Sequence, residues 1–321
     1  AVCFVVQGRG AGVLCFYKTV DNIMTRMDTF SEGCWINVVG PTPEEIAYLT
    51  EELHLDRGFV SAALDEEESS RVEVEDDQTL IIIDTPLAVT EAENTLVYTT
   101  MPLGIIVTKS NVVTVCLNEI TAVNDIASGV VRNVQTAMKT RFLLTLLLRV
   151  AQSFLIRLKH INKLTSQMET ELHHSMQNKQ LVQMMGLQKS LVYFSTSLKA
   201  NEITLEKIYR GRVIKLYEED QDLLEDVLIE FKQAVEMSGT YSSILQETMD
   251  AFSSIISNNM NQVMKTLTIV TVLMEIPTMI FSFYGMNMQD LNRFIPFTGF
   301  ALSLSIGIVG LVAFIFWRKK Y

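Results

Sequence analysis

Short apolar, β-branched runs separated by turn residues fill the first third of the chain. Val13–Tyr17, Cys34–Val39, Leu80–Asp84, Leu103–Thr108 and Val112–Leu117 have this character, which predicts strands. Lys109-Ser110-Asn111 predicts a tight turn joining the last two into a hairpin. Thr42 before Pro43-Glu44-Glu45-Ile46 predicts a short helix with a capping box, Thr42 as N-cap and Glu45 three residues on. Beyond about residue 136 the period changes to three and four over Met138–Met176 and Asn178–Lys199, and no proline lies between residues 103 and 276. A third helix is expected to begin near Glu218. Leu224, Leu228, Phe231, Val235, Leu245, Met249, Phe252, Ile256 and Val263 fall on one 4-3 register, with Ser238, Ser242 and Asn259 in its remaining slots. So long a register predicts a bundle or coiled-coil seam. Unbroken to Tyr284, the helix would be about 65 residues and about 100 Å long, with Ser238-Gly239-Thr240 as a place to bend.

Two segments near the C-terminus are apolar enough to cross a bilayer. Residues 297–317 carry no charge, long enough to span about 30 Å of hydrocarbon. Trp317 suits the interface, and Arg318-Lys319-Lys320 places the C-terminus inside by the positive-inside rule. Residues 263–284 are different. Asn261, Lys265, Thr268, Thr271, Glu275, Thr278 and Ser282 recur at intervals of three and four, so they make one polar stripe, and only Thr266 lies off it. The threonines alone fit a helix–helix seam with hydroxyls bonded to their own backbone. Glu275, near mid-span, has no basic partner in the second segment, and a charge there is costly against lipid. A water-filled lumen suits it better. One hairpin cannot enclose a lumen, so a homo-oligomer is expected, with Glu275 in a ring of carboxylates that attracts cations.

Charge is divided unevenly. The chain of 321 residues has a formal net charge of −11; residues 263–321 hold two acids and five bases, which leaves −14 for residues 1–262. An acidic body argues against nucleic acid as a partner. It attracts cations, although solubility accounts for it equally well. Cys3, Cys15, Cys34 and Cys116 form no C-x-x-C pair and read as free thiols. His173 and His174 are adjacent and diverge on a helix, and H-E-x-x-H is absent. Gly8-Arg9-Gly10-Ala11-Gly12 lacks the G-K-[ST] ending of a phosphate loop, and residues 1–17 do not read as a signal peptide. With no nucleophile, metal cluster or nucleotide loop, an enzyme is not expected, nor an organic cofactor.

Tyr284-Gly285-Met286-Asn287, closing the first of two C-terminal spans, resembles the Gly-Met-Asn signature of the CorA-type magnesium transporters. Asn261-Gln262-Val263-Met264-Lys265-Thr266-Leu267-Thr268 is similar to the segment opening that family's pore helix. Leu64-Asp65-Glu66-Glu67-Glu68 with Arg71-Val72-Glu73, and Pro102–Thr108, resemble its soluble domain. The resemblance implies a homopentameric funnel in the cell membrane with both termini cytoplasmic. Its parts would be an α+β cytoplasmic domain with a mixed sheet over residues 1–135, a helical bundle and stalk helix over 136–262, and a pore-lining transmembrane helix over 263–284. A Gly-Met-Asn loop over 285–296, a second transmembrane helix over 297–317 and a basic tail over 318–321 would follow. It further implies Mg²⁺ as the transported and regulatory ion, with Co²⁺ and Ni²⁺ also passing.

Carried over by residue, Asn287 selects at the outer mouth, and Asn261, Met264, Leu267, Thr268, Thr271 and Thr278 line the pore, with Met264 and Leu267 as the apolar constriction. Asp226 matches a regulatory Mg²⁺ position between subunits, with Glu91 or Glu93 of a neighbour as its partner; on an acidic helix face a solvated role is the plain alternative. The run Asp65–Asp77 reads as a solvated loop rather than a second sensor. Where Glu275 stands the family usually has an apolar residue, and Pro277 comes one place later than expected. Rival readings are a Zn²⁺ transporter of the same superfamily, and a membrane-anchored sensor or scaffold, for which the polar stripe would serve no purpose.

Overall fold

The structure, a computed structural model, describes residues 13–90, 96–174, 178–211, 214, 216–285 and 297–319. It divides into two compact units, Ala1–Thr248 and Met249–Tyr321. In the first, strands β1 (Val13–Val20), β2 (Ile23–Met27), β3 (Trp35–Val39), β4 (Arg71–Glu75), β5 (Gln78–Thr90), β6 (Leu96–Val107) and β7 (Val112–Cys116) form one sheet in the order β2-β1-β3-β7-β6-β5-β4. Every neighbouring pair is antiparallel except β3 with β7, which is parallel, so the sheet is mixed as expected. Between β3 and β4 the chain makes helix α1 (Pro43–Ala47), a π turn (Tyr48–Glu52) and α2 (Arg57–Ala63). The capping box at α1 is complete: Thr42 Oγ1 accepts from the Glu45 N–H at 3.3 Å, and Glu45 Oε2 accepts from the Thr42 N–H at 2.8 Å.

Leu80, Ile81, Ile82 and Ile83 are all fully buried. Four consecutive buried residues on a strand require cover on both faces of the sheet. On one face Leu80, Ile82, Ile106, Val113 and Val115 pack with Phe59, Val60 and Ala63 of α2. Gly104 is needed there, because a Cβ on it would overlap Ala63 Cβ. On the other face lie α4 (Lys139–His174) and α5 (Asn178–Gly211), preceded by α3 (Thr121–Ala127). Trp35 stacks on Tyr17 at 5.0 Å, meets Phe142 at 5.2 Å, and donates its indole N–H to Thr114 Oγ1 at 2.9 Å. Cys15, Cys34 and Cys116 are buried free thiols, and burial pushes the Cys116 thiol up to about 12. Cys3 and the glycine-rich segment lie outside the described residues.

Several expectations need correction. Strands β2 and β4 lie outside the segments whose pattern predicts strands. Both are sheet edges, so little of either is buried and neither carries a strong alternation. The second half of the acidic run Asp65–Asp77 is not a loop: Arg71–Glu75 pairs with β5, and Asp76, at φ 48°, turns the chain between them. Helix α5 ends at Gly211, twelve residues beyond Lys199. The continuation was hidden by Asn201, a fully buried polar residue in a helix-face slot that Leu198, Leu205 and Ile208 otherwise fill.

Helix α6 runs from Glu218 to Gly285 without interruption, through Gly239 and through Pro277. Leu224, Phe231, Ser238 and Leu245 are buried as the 4-3 register requires. The slots between them belong to Val227 and Ala234, with Leu228 and Val235 only half-buried. Both alternatives are apolar, so spacing alone did not separate them. Helix α7 spans Phe297–Lys319.

Candidate functional site

In the second unit, helix α6 from Met249 onward presents two unlike faces. The partly covered positions between residues 269 and 280 are Ile269, Leu273, Ile276, Pro277 and Ile280. Without the proline they recur at four, three and four, an apolar stripe. On α7 the covered positions include Ala301, Ser305, Ile308 and Val312, with the same spacing, and the small residues Ala301 and Ser305 are the most buried. Small side chains at such places allow close helix approach in a membrane. By length and composition both helices can cross a bilayer.

Asn261, Met264, Leu267, Thr268, Thr271, Glu275 and Thr278 are all exposed. At 100° per residue their mean direction lies roughly 150° from that of Ile269, Leu273, Ile276 and Ile280. The threonines are therefore not the covered seam of this unit. Their hydroxyls are nonetheless satisfied. Thr268 Oγ1 donates to the Met264 carbonyl at 2.8 Å, Thr271 Oγ1 to Leu267 at 2.9 Å, and Thr278 Oγ1 to Met274 at 2.9 Å. Thr266, off the stripe, does the same to Gln262 at 3.0 Å. Each hydroxyl hydrogen is used internally, so the outward side of each oxygen offers only lone pairs. Among the described residues no basic side chain pairs with Glu275.

The rest of the expected site is distributed unevenly. Tyr284 and Gly285 are the last two residues of α6, while Met286 and Asn287 lie outside the described residues, as do Glu91 and Glu93. Asp226 is exposed on α6, beside exposed Asp222 and Glu225. Among the described residues no group of three His, Cys, Asp or Glu side chains is placed to hold a metal ion. The apolar face of Ile269, Leu273, Ile276 and Ile280 was missed in the sequence. Nearly every position off the polar stripe is apolar, so periodicity could not single it out.

Comparison with known proteins bears on this geometry. The model of the family described as CorA-like Mg²⁺ transporter protein matches residues 30–320. The cobalt/magnesium transport protein CorA of Methanocaldococcus jannaschii is 29% identical over 290 residues, which is 89% of this chain and 90% of that protein. The protein of the same name from Thermotoga maritima is 25% identical over 135 residues, 42% of this chain and 38% of that one. The complete structure of the M. jannaschii CorA magnesium transporter matches with a TM-score of 0.81 and 27% identity, covering 95% of this chain and 97% of that one. Full-length CmaX, at 17% identity and a TM-score of 0.71, and the ZntB cytoplasmic domain from Vibrio parahaemolyticus, at 12% and 0.59, share the fold. Two membrane-length helices, a mixed sheet under long helices and a match over nearly the whole length agree: the chain belongs to the CorA-like Mg²⁺ transporter family.

Proposed function

We propose that the chain is one subunit of a homopentameric pathway for hydrated divalent cations in the cell membrane, chiefly Mg²⁺, with Co²⁺ and Ni²⁺ also passing. The observation that carries this reading is the division of labour on α6. Its apolar Ile269–Ile280 face is the covered one, and the stripe from Asn261 to Thr278 is left exposed. Several copies arranged about an axis would turn that stripe inward onto water. The M. jannaschii relative, named a cobalt/magnesium transport protein, supports the choice of ion.

Mg²⁺ is small and gives up its waters reluctantly. A ring of Asn287 amide oxygens at the outer mouth accepts hydrogen bonds from that water shell, so it selects without stripping the ion. Further in, the back-bonded threonines offer acceptors to the same waters. Met264 and Leu267, 52% and 57% exposed in the single chain, close into an apolar ring that stops flow by dewetting. No covalent step is required, and the membrane potential supplies the driving force. The acidic sheet-bearing body and both termini lie in the cytoplasm. There Asp226, with Glu91 or Glu93 of a neighbour, binds Mg²⁺ between subunits: the acids repel when the ion is scarce and are bridged when it is plentiful, which closes the pathway.

The test is uptake into liposomes loaded with a Mg²⁺-sensitive dye. The wild type is expected to pass Mg²⁺, and Asn287→Ala to lose that flux or its preference over Ca²⁺. A wild type that passes no Mg²⁺, or an Asn287→Ala variant identical to it, rejects the reading. For the regulatory arm, Asp226→Ala is expected to weaken the protection from protease that Mg²⁺ confers; unchanged protection across a Mg²⁺ titration removes Asp226 from the account.

A further inference from the structure

We propose that Glu275, flanked by Thr271 and Thr278, forms a second binding station for a hydrated divalent cation inside the span, separate from the outer mouth. This rests on the reading above, in which the exposed stripe of α6 faces water. Residues 271, 275 and 278 lie one turn apart on one face of a continuous helix, all exposed and away from the Ile269–Ile280 face. The two threonine hydroxyls spend their hydrogens on the carbonyls of Leu267 and Met274, each at 2.9 Å. What they present to the lumen is acceptor only, and the Glu275 carboxyl oxygens between them add further acceptors. Such a column suits the outward-pointing hydrogens of a cation's water shell and disfavours an anion.

The charge makes the station a binding site rather than a wet wall. No acid other than Glu275 lies in residues 263–284, no charge lies in residues 297–317, and among the described residues no base pairs with Glu275. Symmetry-related copies would set several carboxylates around one narrow passage. Their mutual repulsion is relieved by an ion on the axis, and a divalent ion relieves it more than a monovalent one. Helix α6 continues for ten residues from Glu275 to Gly285, so the station lies about 15 Å inward of the helix end. Met264 and Leu267 lie on its other side, eleven and eight residues back along the helix, about 17 and 12 Å away along the axis. An ion can therefore wait between the apolar constriction and the mouth, and arrival of a second ion from outside would push it on.

The experiment compares wild type, Glu275→Gln, Glu275→Met and Asn287→Ala in the dye-loaded liposomes, with external Mg²⁺ varied from micromolar to millimolar. Bound Mn²⁺ per oligomer is counted by electron paramagnetic resonance in detergent. Both Glu275 variants are expected to need roughly tenfold more Mg²⁺ for half-maximal flux, because an ion loses a full set of facing carboxylates, and to bind less Mn²⁺ than wild type. Half-saturation and Mn²⁺ count equal to wild type in a conducting Glu275→Gln protein overturn the station while leaving the transport reading intact. A wild type that does not conduct overturns both. If Glu275→Gln fails to assemble, Glu275→Met, the apolar type usual in the family, gives the same comparison.

Discussion

Asn201 carries one of the polar ties between helix α5 and the sheet. Its Oδ1 accepts from the Asp84 N–H at 2.9 Å and from Ser70 Oγ at 2.8 Å, and its Nδ2 donates to the Asp84 carbonyl at 2.9 Å. A fully buried amide with this many partners costs little, whereas an apolar residue there would take the donor from the Asp84 carbonyl and leave the Asp84 N–H with only its 3.3 Å bond to Ser70 Oγ. Asp84 itself is held in the same knot. Burial raises its carboxyl above the ordinary 3.8, and hydrogen bonds from Ser197 and Ser70 oppose that only in part. A carboxyl raised on folding binds its proton more tightly in the folded state, so its contribution to stability is full at low pH and is lost as pH rises from near 3.8 through the raised value. Asp84→Asn is therefore expected to melt higher than wild type in detergent, by a margin that grows from pH 4 toward neutrality; a margin constant with pH would contradict this. None of the knot was legible in the sequence, because its bonded partners lie 14 to 131 residues apart and a buried asparagine in a helical slot reads as a helix end.

At the scale of elements, what was legible followed local chemistry. The capping box at Thr42 and the Lys109–Asn111 turn are written in consecutive residues, and the structure has both. Edge strands β2 and β4 were not legible, since an element with little buried surface leaves a weak pattern. The turn Asp21-Asn22, with φ of 50° and 62°, was the overlooked signal for β2, because acidic and amide residues tolerate the left-handed region that a tight hairpin needs. Helix α6 was foreseen almost to its ends, but its buried face was placed on Leu228 and Val235 instead of Val227 and Ala234. That face contains a misfit: Ser238 is fully buried, and among the described residues its Oγ has no hydrogen-bond partner. Removing an unpaired buried hydroxyl is favourable, so Ser238→Ala is expected to raise stability by about 1 kcal/mol. Chemical unfolding of the two proteins in the same detergent checks it, and a loss of stability would mean that the hydroxyl is bonded in the assembly.

For the whole molecule, the distribution of apolar surface decides the argument. Val263, Val270, Met274, Met279 and Phe283 on α6, and Leu302, Ile306, Leu311, Phe314 and Trp317 on α7, are all exposed in the single chain. That surface is stable only against lipid or further copies. In the proposed function the polar stripe among such residues faces an aqueous path shared between copies, and the membership of the chain in the CorA-like Mg²⁺ transporter family supports the choice of ion. The most direct measurement is thiol accessibility during transport, with Thr271→Cys on the exposed stripe compared with Leu273→Cys on the covered face. A small water-soluble methanethiosulfonate reagent is added while Mg²⁺ uptake into liposomes is followed, with wild type, whose described cysteines are buried, as the control. The expected result is block of Thr271→Cys with Leu273→Cys and wild type untouched. Block of Leu273→Cys with Thr271→Cys unaffected would contradict the account.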